Sequence, residues 1–476
     1  MNIDSKRSRF GLFWKQLLGS AVLAGGVFLT SCQQPVNTVR PVYQGIYAPK
    51  AFQMTIGSRT SGTKVDFNID HVHLRIYNET PLPFGTELDS VYLTVYLSNQ
   101  IAMSLINEAT GAQTWQPGDT SKISAKGGRL TLNVSREGHD PLVYDIRVMS
   151  YGYDPNKLTW ENRGTEALPM AADQSKVYEI QGVRYYMGRT GDLTGLYRLD
   201  LNPLKFTPLT GAQIPQGLRP ETILKSIDGK AWAVTDDGGV YYSLDQETWT
   251  AFYLPTEEEQ VIALLNDNTK SGSKESSLSV ITRIGEDYFF RSMRSNAEGS
   301  FETFSEMIPV PVTFPIAGGY VYTYNVSGTQ HSSIFGGLTK DGLPSEKSYF
   351  TSDGLRWAET PYTSISKSVP ELGGLYLADP DTPGRIILVG GVYDGTVSRT
   401  IKVSTDRGIT WTELTEEQLP PAAFLPRSGA SGLLVTDAEG IEHLFVIGGN
   451  ISGVPSGEVW HGFLDTKGGV VNAYED

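Results

Sequence analysis

The feature that most constrains this chain is a repeat in its C-terminal part. Three segments combine a pair of adjacent glycines with a later aspartate: Gly336-Gly337 with Asp353, Gly390-Gly391 with Asp406, and Gly448-Gly449 with Asp465. The second glycine precedes the aspartate by 16, 15 and 16 residues. Such regular spacing indicates a repeated supersecondary unit, which buries its core only by stacking on neighbouring copies.

Weaker copies of the repeat continue toward the N-terminus at a similar spacing. With Asp200, Asp245 and Glu298 added, the markers stand at 200, 245, 298, 353, 406 and 465, at intervals of 45 to 59 residues. Units of this length, with short strands and glycine turns, are typical of propeller blades. We therefore predict an all-β fold with a six-bladed β-propeller over residues 173–476. Five or seven blades remain alternatives, because the copies around Asp200 and Glu298 are faint.

A ring of blades needs its two ends joined. We expect a strand around Val177–Ile180, or just before it, to pair with the last blade near Val459–Phe463. Pairing of the chain ends would remove an open sheet edge.

One copy contains a motif with a defined turn chemistry. The run Ser404-Thr405-Asp406-Arg407-Gly408-Ile409-Thr410-Trp411 resembles the Asp-box (BNR repeat) of sialidase-type propellers at every defined position, and Asp353 with Trp357, and Asp245 with Trp249, stand in shorter versions. An aspartate can accept N–H bonds within such a turn, and a tryptophan can pack between blades. The resemblance implies a structural role away from the ligand face. A catalytic or calcium-binding role for these aspartates is the alternative.

The paired glycines also resemble a known repeat. They are similar to the double glycine that ends the second strand of a Kelch blade, although the Tyr and Trp of a Kelch repeat are not placed consistently here. Turn glycines of an ordinary β-protein are the alternative reading. We favour a structural role in the repeat, because the spacing is nearly constant.

A separate domain precedes the repeats. Residues 91–97 alternate apolar and polar side chains with the period of two that a half-buried strand requires, and residues 130–134 and 144–148 do the same. No long helical period appears. We predict a small immunoglobulin-like β-sandwich over residues 46–160, followed by a linker over residues 161–172.

The N-terminus has the pattern of an export signal. Basic residues precede an apolar stretch at 17–29, which is too short to span a membrane. Leu29-Thr30-Ser31-Cys32 then resembles a lipobox. We predict that residues 1–31 are a lipoprotein signal peptide, that Cys32 is acylated, and that residues 32–45 form a tether. An ordinary signal peptide with an incidental cysteine is the alternative. Gln33 follows the cysteine, so we predict the outer membrane, facing either side.

The whole layout is similar to a family of Bacteroidetes-type lipoproteins. These combine a lipobox, a small N-terminal β-domain and a Kelch- or Asp-box-like propeller. Segments such as Phe67-Asn68-Ile69-Asp70 and Leu82-Pro83-Phe84-Gly85-Thr86 contribute to the resemblance. It implies location and architecture and no activity. The net charge of −14 argues against nucleic acid as a partner.

Signals for catalysis are weak. A sialidase needs an arginine triad with a tyrosine and acidic partners, and we interpret Arg283 and Arg427 as surface residues. His71 and His73 are interpreted as ordinary strand residues, and we predict no metal or cofactor. We therefore predict a non-catalytic protein- or glycan-binding scaffold at the envelope. A sialidase-like glycan-processing enzyme and an assembly factor for an envelope complex are the alternatives.

Overall fold

The computed structural model describes residues 48–474, except for 97–100, 114, 116–121, 155–156, 165–166, 227, 271, 361–368, 371 and 467. The helices within these ranges are two short 3-10 segments, Lys126–Gly128 and Pro220–Thr222. None of the described helices is long and apolar enough to cross a membrane. The described residues divide into two compact units, one of residues 158–464 and one that combines residues 48–157 with residues 465–474.

The N-terminal unit consists of β-strands around an apolar core. Its strands are β1 Ala51–Ile56, β2 Thr63–Asp70, β3 Arg75–Tyr77, β4 Val91–Tyr96, β5 Ala102–Asn107, β6 Gly111–Gln113, β7 Arg129–Ser135, β8 Leu142–Arg147 and β9 Ser150–Tyr151. Eight of them follow the order β4-β1-β2-β3-β8-β7-β5-β6. β2 pairs with β1 over its first five residues and with β3 over its last three. It therefore joins strands β4 and β1 on one side to strands β3, β8, β7, β5 and β6 on the other.

The predicted alternation is present in these strands. In β4, Val91, Leu93 and Val95 are buried, and the residues between them are half-buried. The β3–β8 pair is parallel, whereas its neighbours are antiparallel. The structure supports an all-β unit, and the finer immunoglobulin-like assignment stays a prediction.

The second unit is a propeller of six blades, as predicted. Blade 1 is β11 Gln174–Ile180, β12 Val183–Thr190, β13 Leu193–Leu201 and β14 Leu204–Pro208; blade 2 is β15 Leu224–Lys225, β16 Ala231–Val234, β17 Val240–Ser243 and β18 Thr250–Tyr253; blade 3 is β19 Glu259–Asp267, β20 Ser277–Ile284, β21 Asp287–Ser295 and β22 Phe301–Phe304, with β23 Ile308–Pro309 on β21. Blade 4 is β24 Tyr320–Val326, β25 Thr329–Phe335, β26 Tyr349–Thr351 and β27 Ala358–Glu359; blade 5 is β28 Leu375–Ala378, β29 Ile386–Val389, β32 Ile401–Ser404 and β33 Thr412–Glu413, with the hairpin β30 Val392–Tyr393 and β31 Thr396–Val397. Blade 6 is β34 Ser431–Thr436, β35 Glu442–Ile447, β38 Val459–Phe463 and β10 Thr159–Asn162, with the hairpin β36 Asn450–Ile451 and β37 Val454–Pro455.

The ring closes through a strand that we did not predict. β10 precedes blade 1 in sequence but forms the outer strand of blade 6, where Thr159 pairs with Phe463 and Asn162 with Trp460. The predicted partner, the last blade near Val459–Phe463, was confirmed. The predicted closing strand around Val177–Ile180 was wrong, because that strand is the inner strand of blade 1. The predicted linker over residues 161–172 begins two residues too early, because residues 161 and 162 belong to β10. β10 has one apolar residue, Trp160, so it lacks the apolar–polar alternation that predicts a strand.

The C-terminal boundary also differs from the prediction. The last strand, β39 Val470–Val471, pairs with β9 in the N-terminal unit. The described residues from Asp465 to Tyr474 therefore belong to that unit rather than to the propeller. A two-residue strand has no sequence signature, so only its pairing reveals where the chain end lies.

A row of polar side chains crosses blade 6 next to the closing strand. Arg163 Nη2 lies 2.9 Å from His461 Nδ1, His461 Nε2 lies 2.8 Å from His443 Nδ1, and His443 Nε2 lies 3.0 Å from Asp437 Oδ2. A guanidinium can only donate, so His461 accepts at Nδ1 and donates from Nε2 to His443. Both imidazoles are therefore neutral in this arrangement. Burial, followed by the positive charge of Arg163, lowers the pKa of His461 to about 4.

We expect this histidine to make the propeller less stable in acid. The pKa of His461 is about 4 in the fold and about 6.5 in an unfolded chain, so the unfolded state binds more protons between these values. The free energy of unfolding should then fall as the pH drops from 7 to 4, by about 3 kcal/mol in total. Urea titrations across this range measure the slope. His461→Gln should flatten it and His331→Gln, on blade 4, should not; equal slopes in wild type and His461→Gln would contradict the assignment.

Candidate functional site

One end of the propeller gathers most of its variable loops. Because the strands of a blade alternate in direction, the loop from second to third strand and the loop leaving the fourth strand emerge at the same end. We call this end the loop face, and we count Leu193, the first residue of β13, as part of its edge. The described residues of the loop face lie within the ranges 163–173, 191–192, 209–223, 235–239, 254–258, 285–286, 310–319, 336–348, 360–374, 390–400, 414–430 and 448–458. Isolated bridges such as Leu372–Val392 and Ser428–Asn450 connect the two kinds of loop.

The loop face exposes large apolar side chains. These come from loops of several blades and are Leu193, Leu254, Val312, Leu343, Leu372, Leu425 and Val454. Leu193 is 74% exposed and Val454 is 65% exposed. Among the described residues, the turns at the opposite end expose only Leu244, Ile409 and Val326 of this kind. Single exposed apolar residues are ordinary, whereas their concentration at one end points to a surface used for binding.

Charged side chains lie near the loop-face end of blades 1 and 2. Arg189, at the end of β12, donates to both carboxylate oxygens of Asp236 at 2.9 and 2.6 Å. It also donates to the carbonyl oxygens of Gly191 and Gly217. Arg219 donates from Nη2 to the carbonyl of Ile262 at 2.6 Å. These bonds join three consecutive blades and leave the Arg189 guanidinium largely occupied.

Two further groups in this region have shifted pKa values. Burial lowers the pKa of Lys176, on β11, and the charge of Glu221 partly offsets this. The surrounding protein raises the pKa of Glu221 by partial desolvation, although the residue is exposed at the surface, and Arg219 and Arg189 act in the opposite direction. In the described part of the chain neither Lys176 nor Glu221 forms an ion pair within 4 Å. An acid and a base shifted toward neutral pH are suited to proton transfer or to holding a polar ligand. We call Lys176, Arg189, Arg219, Glu221 and Asp236 the polar cluster.

The double glycines hold the hairpins of blades 4, 5 and 6 on the loop face. Gly390 and Gly391 have φ angles of 63° and 94°. A Cβ on Gly390 would lie 2.6 Å from the carbonyl oxygen of Arg427, and one on Gly391 would lie 2.5 Å from Pro370 Cβ. The pairs at 336–337 and 448–449 have nearly the same φ angles. Only glycine combines this conformation with so little space.

The Asp-box residues lie at the opposite end, in the turns between third and fourth strands. Asp406 accepts the N–H of Thr410 at 2.8 Å, and the hydroxyl of Ser404 accepts the N–H of Gly408 at 2.8 Å. Asp353 and Asp245 bond to their own turns in the same way. The N–H of Thr248 is the main reason that the pKa of Asp245 is lowered. These carboxylates are thus turned into their own loops, away from the loop face.

The tryptophans of these motifs contact the preceding blade. Trp249 packs with Tyr178 and Leu196 of blade 1, and Trp357 lies 6.4 Å from Phe290 of blade 3 between ring centres. Trp411 lies 6.3 Å from Phe335 of blade 4. Trp249 and Trp357 are buried, whereas Trp411 is half-buried.

Three residues, Arg427, His71 and His73, lie in surroundings that differ from those predicted. Arg427 is not a surface arginine: its side chain is 1% exposed and bonds to Glu458 at 2.6 Å, whereas Arg283 is exposed and bonds to Gln260. His71 and His73 lie in the turn after β2 rather than in a strand. Their partners differ, since His71 contacts the Tyr144 hydroxyl at 2.9 Å and His73 contacts Asp70 at 2.6 Å.

The polar cluster was not among the sites predicted from the sequence. Its residues lie in the faintest copies of the repeat and share no common spacing. The only available signal was the occurrence of charged residues in the loops between the first two blades. The predicted lipidation site Cys32, the signal peptide at 1–31 and the tether at 32–45 lie outside the described residues.

Comparison with known families covers almost all of the described chain. The family model described as the DUF6242 beta propeller domain matches residues 154–470, and the one described as the domain of unknown function (DUF6242) N-terminal domain matches residues 46–148. The propeller match begins before β10 and thus includes the strand that closes the ring. No curated protein matches the chain.

Several solved structures are similar at low identity. A DUF4623 family protein from Bacteroides eggerthii DSM 20697 is 10% identical with a TM-score of 0.40, over 88% of this chain and 98% of that one. The structure of YjhT is 13% identical with a TM-score of 0.36, over 63% of this chain and 94% of that one. YCF48 bound to D1 peptide is 14% identical with a TM-score of 0.32, over 64% of this chain and 96% of that one.

Proposed function

Given that the chain belongs to the DUF6242 family, with its N-terminal domain and its β-propeller, we propose that the propeller is a non-catalytic binding scaffold that holds a protein partner on its loop face. The observation that supports this is the set of seven exposed apolar side chains at that end. Loops on a rigid scaffold suit recognition. Apolar anchors surrounded by polar groups are typical of the centre of protein interfaces.

A comparison of the two ends of the propeller tests this proposal. The full chain is cross-linked in envelope preparations of its source cell, and the captured proteins are quantified. Leu343→Asp and Leu372→Asp should lower capture of the major partner by at least about tenfold, as for interface hot spots. Leu244→Asp and Ile409→Asp, at the opposite end, are the matched controls. Equal capture by all four variants would rule out the loop face as the binding surface.

We also propose that the protein is held at the outer membrane by acylation of Cys32. The sequence Leu29-Thr30-Ser31-Cys32 supports this, and two or more acyl chains are enough for stable anchoring. Cys32→Ala should move the protein from the membrane fraction to the soluble one and abolish labelling by a clickable fatty acid. Continued labelling of the alanine variant would disprove acylation at this residue.

Two finer structural assignments are also proposals. We propose that the blades are of Kelch and Asp-box (BNR) type, because glycine pairs and aspartate turns recur at equivalent positions in blades 4 and 5. We also retain the immunoglobulin-like assignment of the N-terminal unit as a proposal. An assembly factor is the special case in which the partner belongs to a multi-subunit envelope complex, which identification of the captured protein would reveal.

The polar cluster favours a second candidate, a glycan-processing enzyme. Lys176 and Glu221 have pKa values shifted in the directions that acid–base catalysis uses. Against a sialidase-like site, Arg189 already bonds to Asp236 and Arg219 to a carbonyl. Hydrolysis of aryl glycosides by the full chain, and its loss in Glu221→Gln, would establish this alternative in place of the scaffold.

A further inference from the structure

The N-terminal unit contains a cleft that is separate from the surfaces described above. It has a volume of about 530 Å³ and lies where β1 ends, in the turn to β2, and beside the loop that leads into β4. Small-molecule sites usually measure about 300–1,000 Å³, so the cleft is large enough for a ligand. Gly62 N–H bonds to the carbonyl of Ser58 at 2.6 Å and holds the turn in shape.

Four charged side chains line the cleft, two of each sign. Arg59 and Lys122 are cationic, and Glu87 and Asp89 are anionic. All four are exposed. Within the described residues none of them forms an ion pair within 4 Å. The cleft thus offers strong donors and strong acceptors while its net charge is zero, which favours a ligand that both donates and accepts hydrogen bonds and has no net charge itself.

Hydroxyl groups and one aromatic ring complete the lining. Ser58 and Thr60 lie with their side-chain oxygens 3.4 Å apart, and Ser90 lies in the facing loop. Tyr92 is half-buried at the start of β4, with Lys122 Nζ 5.7 Å from its ring centre. A ring beside convergent polar groups can pack against the C–H face of a polar molecule while the polar groups bind its hydroxyls.

We propose that this cleft binds a neutral carbohydrate. Vicinal hydroxyl groups can donate to Glu87 and Asp89 and accept from Arg59 and Lys122 at the same time. A ligand with one net charge would leave the residues of like sign unpaired or repelled. The inference does not depend on the loop face of the propeller, because the cleft belongs to the other unit.

Calorimetric titration of the full chain tests the proposal with six oligosaccharide probes. The neutral probes are maltohexaose, cellohexaose, xylohexaose and mannohexaose. The charged probes are a hexamer of galacturonic acid and a hexamer of glucosamine. We expect at least one neutral probe to bind, and to bind more tightly than either charged probe. Absence of binding by all four neutral probes, or a preference for a charged probe, would overturn the proposal.

Variants then locate the binding. Asp89→Ala and Lys122→Ala should each weaken binding of the neutral probe at least about tenfold, since each removes a hydrogen bond to a charged group. Both residues are exposed, so folding should be preserved, and circular dichroism checks this. Asp140→Ala and Lys126→Ala, at exposed positions outside the cleft, are the matched controls. Binding unchanged in both cleft variants would place the carbohydrate elsewhere and overturn the proposal.

Discussion

A propeller fragment of residues 165–464 is expected to lose its closed ring. A fragment of residues 158–464, which includes β10, is expected to fold. The shorter fragment lacks β10, whose four residues pair with β38. Trp160 also donates from its indole N–H to the carbonyl of Gln418 at 3.1 Å and contacts the buried Phe424 ring. Without β10, the outer edge of blade 6 is exposed and free to pair with other chains.

The expected loss is at least about 5 kcal/mol in the free energy of unfolding, beyond the usual range of single substitutions. Urea unfolding of both fragments measures it, and size-exclusion chromatography should show oligomers of the shorter fragment. The full chain with Trp160→Ala should fall between the two fragments, because it keeps the backbone pairing. Equal unfolding midpoints for the two fragments would contradict the role of β10 in closing the ring.

Trp357→Ala is expected to destabilise the propeller by about 3–5 kcal/mol, the range for removing a large buried aromatic side chain. Trp357 is 8% exposed and lies between blades 3 and 4, with its ring centre 5.4 Å from that of Phe314. Urea unfolding of the full chain, monitored by circular dichroism, provides the measurement.

The equivalent residues of blade 5 serve as the comparison. Trp411 is only half-buried, so Trp411→Ala should cost less than Trp357→Ala. Asp406→Ala should cost about 1–3 kcal/mol, because it leaves the N–H of Thr410 without its acceptor. An unfolding midpoint for Trp357→Ala equal to that of the wild type would show that the blade contact does not limit stability.

The blade count could be predicted from sequence because it depends on local chemistry that repeats. A turn that needs two glycines in a row with positive φ, such as Gly390-Gly391, accepts almost no other residues. The markers therefore stayed visible in blades 4, 5 and 6. The Asp-box turn of blade 2 was fainter in sequence: Gln246 stands there with φ 68° where blades 4 and 5 have Gly354 and Gly408, and its side chain bonds to Tyr178.

The candidate sites could not be predicted in the same way. The polar cluster unites residues of β11, β12 and two loops, and the cleft of the N-terminal unit unites two loops with Lys122. The side chains that form these two sites satisfy no repeated backbone geometry, unlike the double glycines, so they leave no periodic signal. Arg427 illustrates the opposite error, since a charged residue in a loop proved to be buried against Glu458.

The sequence by itself determined the β-class, the repeat length and the turn chemistry of this protein, because each follows from interactions between residues close together in the chain. Only the tertiary structure decided how the ring closes and which strand β39 pairs with. β10 and β39 contain four and two residues, and each forms a strand only because a distant edge offers it hydrogen bonds. The position of such a strand is a property of its partner, which is absent from the local sequence.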